Sequence, residues 1–354
     1  MSDTTPRDPN QRQLISLFWV FALAVAVVWL LWRISQILLI LFAGILGAVL
    51  LDGLARYAQQ RLRLPHTPAV VLIISLLILL VVGFGFVIGP TLMTQSEQLT
   101  NLLPESLHQL WAWAQAHKWG EILIATKPSK LVPSAADLLG ELSGIFSTTI
   151  GGLASLLIIV VLAVYMAISP HLYVDGLIRL LPKGRRALGR EVLAAIAQAL
   201  REWLLGRFVS MVAVGILTAL GLWLIDLPSA LALAMLAGLM SFVPYFGPIA
   251  AAVPALLIAL PGWPGEPLWV LLIYGGIQFI EGNFITPLVQ SRMISLPPVA
   301  LLVAQLTVGF LFGLLGLLLA TPLAVVIIVL VQILYVQQVL GDSVRVLGEH
   351  PDSR

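Results

Sequence analysis

The stretch "SFVPYFGPIAAAVP", residues 241–254, sets Pro244, Pro248, Pro254 and Gly247 inside an apolar run that carries no charge from Leu227 to Gly265. As one helix, those 39 residues would reach about 58 Å at 1.5 Å per residue, nearly twice a hydrocarbon core of about 30 Å. Proline lacks a backbone donor and its ring collides with the preceding turn, so this cluster must interrupt the helix. The pieces on either side, about 228–243 and 248–260, are each short for a full crossing. They form either a re-entrant hairpin or two tilted, closely packed helices.

A second interruption follows by the same reasoning. Met293 to Gly341 is again free of charge, enough chain for about 73 Å of helix. Within it "VGFLFGLLGLLLATP", residues 308–322, places Gly309, Gly313 and Gly316 near the middle and Pro322 after them. Gly309 and Gly313 have the small-xxx-small spacing that lets helices approach closely. A second hairpin is expected there. Irregular backbone at membrane depth persists only where it is buried in protein or lines a watery cavity. A pair of Gly/Pro-interrupted apolar segments is also the sequence pointer to a transport site.

The rest of the chain fits an all-α, polytopic helical membrane protein. Of 354 residues 60% are hydrophobic and 10% charged, against about 25% charged in soluble domains. Uncharged runs predict spans at about 14–32, 34–51, 69–92, 144–168 and 208–225. Leu14 to Trp32 is read as a retained span, since its apolar core is too long for a signal peptide. The expected units are spans 1–3 in 1–92, an external amphipathic segment in 93–143, and span 4 with basic amphipathic helices in 144–207. The two broken hairpins follow in 208–341, and a cytoplasmic tail in 342–354.

Charge sets the expected orientation. Arg56, Arg61 and Arg63 lie between the second and third spans. Arg179, Lys183, Arg185, Arg186, Arg190, Arg201 and Arg207 stand against only Asp175, Glu191 and Glu202. The positive-inside rule puts both segments in the cytoplasm, with both termini on that side. The segment from Glu97 to Glu141 has five acids and three lysines and is expected outside. There Leu99, Leu103, Leu107, Leu110, Trp111 and Ala114 recur at helical spacing, predicting helices on the outer surface. Leu188, Val192, Ile196, Leu200 and Trp203 recur likewise among Arg186, Arg190 and Arg201, predicting a basic helix resting in the interface. Arg33, between two spans, is expected to snorkel. Asp52 and Asp226, at the ends of spans, are read as headgroup-level residues rather than ion sites.

Between the two hairpins, "IQFIEGNFITPLVQSRMISLPP", residues 277–298, gathers Gln278, Glu281 and Asn283 beside Pro287 and Arg292. Gln278 and Glu281, three apart, share a helix face, and Gly282 with Pro287 predict that the helix loosens just after them. Two readings stay open. An amide and a carboxylate beside opened backbone suit a hydroxylated solute or a cation, whereas a structural clamp would pair Glu281 with Arg292 or cap a helix end.

Other chemistries lack their signatures. Cysteine is absent, which excludes disulfides and thiol catalysis. The five histidines are scattered, with no zinc-binding spacing, and no phosphate-binding Gly-rich loop or nucleophile turn is present. An enzyme is the least favoured class, and neither a cofactor nor a metal is expected.

The elements "FVPYFGPIAAAVPALLIAL", "QFIEGNFITPLVQSRMISLPP" and "VGFLFGLLGLLLATPLA", in this order and spacing, resemble the autoinducer-2 exporter family of bacterial and archaeal membrane proteins, with "LLDGLARYAQQRLRL" supporting the match. Two positions depart from it: Ser241 stands where the family often has asparagine, and Gly53 where it often has proline. The resemblance implies seven or eight membrane helices, a homo-oligomer (a pentamer), and a bacterial cytoplasmic membrane. It implies export of a small hydroxylated signal such as autoinducer-2, or sodium/proton exchange as in other relatives. By position, Pro244, Tyr245, Gly247 and Pro248 correspond to its first break, and Gln278, Glu281, Asn283 and Pro287 to its linker. Gly309, Gly313, Gly316 and Pro322 correspond to its last hairpin. The glycines and prolines shape the path, while Gln278, Glu281, Asn283, Ser241 and Tyr245 are the expected solute or ion contacts.

The leading expectation is therefore a secondary transporter for a small polar metabolite, coupled to protons or sodium, with lipid, the solute, H+ or Na+ and further copies of itself as partners and no nucleic acid. A sodium/proton antiporter is the alternative. A third is a non-transporting oligomeric scaffold acting through the basic surface between Arg179 and Arg207.

Overall fold

The structure is a computed structural model that describes residues 9–116, 149–260, 265–289 and 298–342. Every element among these residues is helical. By length and composition, five stretches are long and apolar enough to cross a membrane, or six if one bent pair counts as a span. The seven or eight crossings implied by the resemblance are not reached among the described residues.

The first helix, α1 (Pro9–Leu62), runs 54 residues without interruption. The reversal expected at Arg33 is absent, and the reason is local. Neither proline nor glycine occurs between Asn10 and Ala43, and arginine is itself a good helix former. Spans 14–32 and 34–51 are thus one helix, and the count of crossings that placed the amino terminus beside Arg56 to Arg63 loses its first turn. Arg33 is exposed on that helix.

Helix α2 (His66–Ala116) is also unbroken. The surface helices expected after residue 92 begin as its continuation, and residues 117–148, the remainder of the expected external segment with the first residues of the expected span 144–168, lie outside the described residues. Helix α3 (Thr149–Ile168) ends where Pro170 starts α4 (Pro170–Arg179), and the two meet at 85°. A residue before proline is pushed away from helical geometry. Ser169 accordingly has φ −133° and ψ 60°, and the chain leaves α3 nearly at right angles.

After one 3-10 turn at Lys183–Arg185, α5 (Arg186–Leu224) spans 39 residues. The basic amphipathic helix and the span 208–225 are one element, which corrects the expected interfacial helix. Its apolar face is covered by protein: Val192, Ala199, Leu200, Trp203 and Leu204 form one core with Leu39 and Leu46 of α1 and with Leu319, Val325, Val329 and Ile333.

The first broken run gives α6 (Ala230–Met240) and α7 (Phe246–Ala259), both short of a crossing. These pack with α5 and with α8 (Gly265–Ile280) in a second core built on Val214, Leu233, Ala251, Val270 and Tyr274. Helix α8 continues through a π-helical turn at Glu281–Ile285 into Thr286–Val289, so the described part of the polar linker, 277–289, belongs to a helical stretch long enough to span. A third core joins α1, α2 and α3. There Gly44 and Gly47 leave room for Leu162 and Ala163, where an added Cβ would sit 2.7 and 2.8 Å away.

The last helix, α9 (Pro298–Leu330), continues as a π-helical segment, Val331–Leu340, and turns back on itself at Gly313, whose φ of 65° and ψ of −149° no helix contains. Gln305 Nε2 donates to Thr321 Oγ1 at 3.2 Å, and Gly309 lies against Leu317. Both pairs straddle Gly313 symmetrically, which makes residues 298–312 and 314–340 the two arms of the expected hairpin.

Candidate functional site

The backbone of the first break explains its sequence. The amide of Phe246 donates to the carbonyl of Pro244 at 2.8 Å, closing a three-residue turn around Tyr245 at φ 66° and ψ −54°. This is the rare, strained γ-turn. The amide of Gly247 then returns to the carbonyl of Val243 at 3.0 Å. Glycine is required there because a Cβ would overlap the carbonyl oxygen of Met240. Strain of this kind persists only where the surroundings impose it, and it concentrates at functional sites.

Arg207 on α5 braces the segment just before the turn. Its Nε donates to the carbonyl of Phe242 at 3.1 Å, and its Nη1 donates to Glu281 Oε1 at 3.0 Å. The other carboxylate oxygen of Glu281 accepts from Gln278 Nε2 at 3.3 Å. Both charged side chains are more than nine-tenths buried. A buried pair of this kind needs its remaining polar valences met: the carboxylate receives two donors, whereas Arg207 Nη2 has no partner among the described residues. Trp203, one turn before Arg207, meets Phe242 edge to face at 5.6 Å. Phe242 beside the first break and Phe312 beside the second both pack on the core containing Trp203 and Leu204.

Glu281 opens the π-helical turn, in which the amide of Thr286 reaches back to the carbonyl of Glu281. In an α-helix the ring of Pro287 would press on the carbonyl of Asn283, and the wider turn relieves that. The predicted loosening after Glu281 is present, and Gln278 and Glu281 do share a face. Asn283 does not join them: it is exposed, and its Nδ2 donates to the carbonyl of Phe279. Glu281 pairs with Arg207, a partner the linker sequence does not contain, while Arg292 lies outside the described residues.

The other singled-out residues divide by position. Ser241 is fully buried and its hydroxyl donates to the carbonyl of Gly238 at 2.8 Å, whereas Tyr245 is exposed. Gly247 and Pro248 are buried and Pro244 half-buried. Gly316 and Pro322 are buried, Gly309 half-buried, and Gly313 and Pro287 exposed.

Asp52 is more than a boundary residue. Its Oδ2 accepts from Arg56 Nε at 2.8 Å and from Arg201 Nη2 at 3.1 Å, with His66 Nε2 at 3.7 Å from Oδ1. Gly53 admits Arg201, since a Cβ there would stand 2.8 Å from the arginine Cδ. Arg207 lies six residues beyond Arg201, about 9 Å deeper along α5. Sequence reading counts Arg207 only as the end of the basic segment. The available signal is its isolation: from Arg207 to Asp226 no other charge occurs.

With this geometry in hand, the likeness to known proteins is informative. The AI-2E family transporter model matches residues 17–335. The chain is 33% identical to YrrI of Bacillus subtilis (strain 168) over 148 residues, 42% of each chain. It is 24% identical to YueF of the same organism over 81% of each chain; both carry provisional names as transport proteins. It is 24% identical to the AI-2 transport protein TqsA of Escherichia coli (strain K12), over 88% of this chain and 89% of TqsA.

Proposed function

This chain belongs to the AI-2E family of transporters, and from that premise we propose that it is a secondary transporter exporting a small polar metabolite, an autoinducer-2-like signal, with movement coupled to protons or sodium. One observation carries the reading. The strained turn at Tyr245 and the π-helical turn at Glu281 are irregular backbone in different apolar elements, and a single guanidinium, Arg207, ties the Phe242 carbonyl, three residues before Tyr245, to the Glu281 carboxylate. A solute or ion that competes for Arg207 or Glu281 releases the two segments together. That gives a physical link between occupancy and movement of the broken helices.

The sodium/proton antiporter is the second reading, because Glu281 is a buried carboxylate between helices. Its charge is already met by Arg207 and Gln278. A cation must therefore displace Arg207, so the pair, and not Glu281 alone, would be the exchanging unit. Assembly as a homo-oligomer, a pentamer, in a bacterial cytoplasmic membrane belongs to the same proposal.

Reconstitution in proteoliposomes tests it. Loaded autoinducer-2 should leave faster under an imposed proton or sodium gradient than without one. The double variant Arg207→Met/Glu281→Leu, which removes both charges together, should stay folded and lose that flux. Ion exchange with no movement of autoinducer-2 would select the antiporter reading. Full flux from a folded double variant would remove the pair from the mechanism.

A further inference from the structure

The buried face of α5 carries more polarity than its ion pair uses. Arg207, Ser210, Val214 and Thr218 recur at helical spacing along that face and all are buried. Among the described residues, Arg207 Nη2, Ser210 Oγ and Thr218 Oγ1 have no hydrogen-bond partner, and the same is true of the Tyr274 hydroxyl on α8. Tyr274 shares the buried stripe of its own helix with Val270, Ile277 and Glu281.

Two contacts align these stripes. Arg207 meets Glu281, and Gly221, fourteen residues on along α5, lies against Ile273, eight residues back along α8. The helices therefore run antiparallel, and either anchor puts Tyr274 within about one turn of the level of Thr218. Val214 and Tyr274 belong to one continuous core. Buried hydroxyls and guanidinium nitrogens normally have partners, and orphans call for an explanation. One orphan is unremarkable. Four on the facing buried stripes of two long helices, beginning at the Arg207–Glu281 pair, form a row.

We propose that this seam is the solute site, with Arg207 Nη2, Ser210 Oγ, Thr218 Oγ1 and the Tyr274 hydroxyl as its hydrogen-bonding groups. The proposal rests on the transporter reading and names the ligand class for it. Nη2 only donates, whereas the three hydroxyls donate or accept. Arg207 and Glu281 together are neutral, so a cation meets the guanidinium and an anion meets the carboxylate. The ligand that suits the row is an uncharged, oxygen-rich molecule, a polyol or hydroxyketone, passing its oxygens from one group to the next.

The test uses the full chain in proteoliposomes with two probes, autoinducer-2 and ribose, and the variants Ser210→Ala, Thr218→Val and Tyr274→Phe. Each variant removes a hydroxyl that bonds to nothing among the described residues, so its thermal unfolding should stay level or rise. Each should raise the KM for the transported probe about fivefold, the worth of one hydrogen bond. Unchanged KM in all three would overturn the site while leaving the transporter reading intact. Unfolding temperature and flux falling together would show the hydroxyls to be structural and overturn it equally. A wild-type protein that moves neither probe would overturn the site and the transporter reading at once.

Discussion

Arg207 and Glu281, 74 residues apart in sequence, meet at 3.0 Å with both side chains more than nine-tenths buried. Removing one member of such a pair strands a charge. Glu281→Gln or Arg207→Met should each cost about 3–5 kcal/mol, whereas the double variant Arg207→Met/Glu281→Leu should lose far less than the two together. Thermal unfolding in nanodiscs reads this directly. Additive losses would show that the two residues act independently.

The fold-back at Gly313 can be tested because the chain has no cysteine of its own. Gly309→Cys with Leu317→Cys should crosslink on mild oxidation, since a Cβ at 309 would stand 3.4 Å from the Cβ of Leu317 across the arms. Along a straight helix these positions would be about 12 Å apart, and no disulfide would form. Gly313→Ala should cost about 1–3 kcal/mol through its φ alone, because none of the described residues lies within 4 Å of an added Cβ.

Gly247 is constrained differently, by a neighbouring backbone oxygen instead of by its own angles. Gly247→Ala should destabilise by at least about 1–3 kcal/mol and suppress flux, because the carbonyl of Met240 cannot retreat as a side chain would. Gly275→Ala, in the open on α8, should be neutral or stabilise by about 0.5–1 kcal/mol. Equal behaviour of the two variants in a melting experiment would refute the close approach.

The amino end of α6 has no side-chain cap of its own. It is served from α2: Gln95 Oε1 accepts from the amide of Ala232 at 3.0 Å, and the Gln95 carbonyl accepts from Ser229 Oγ. Gln95→Ala should therefore cost about 0.5–2 kcal/mol and loosen the first hairpin. Faster hydrogen exchange at residues 230–233 would be its signature, and exchange unchanged there would remove Gln95 from the cap.

The sequence alone determined what depends on neighbours along the chain. Proline and glycine act on their own backbone, so the breaks at 241–245 and Gly313 and the loosened turn after Glu281 were legible in order and nearly in place. Long uncharged runs likewise announced a helical membrane protein, because the cost of burying charge in hydrocarbon is paid residue by residue. Where no breaker stood, at Arg33 and Arg207, reading turns from charge alone cut continuous helices in two. Only tertiary structure decided the partners. That Glu281 meets Arg207, that Asp52 meets Arg201 and that Gln95 caps α6 depend on how helices are set side by side. Packing of whole apolar faces fixes that arrangement, and the spacing of residues along one helix does not say which residues of another helix they will meet.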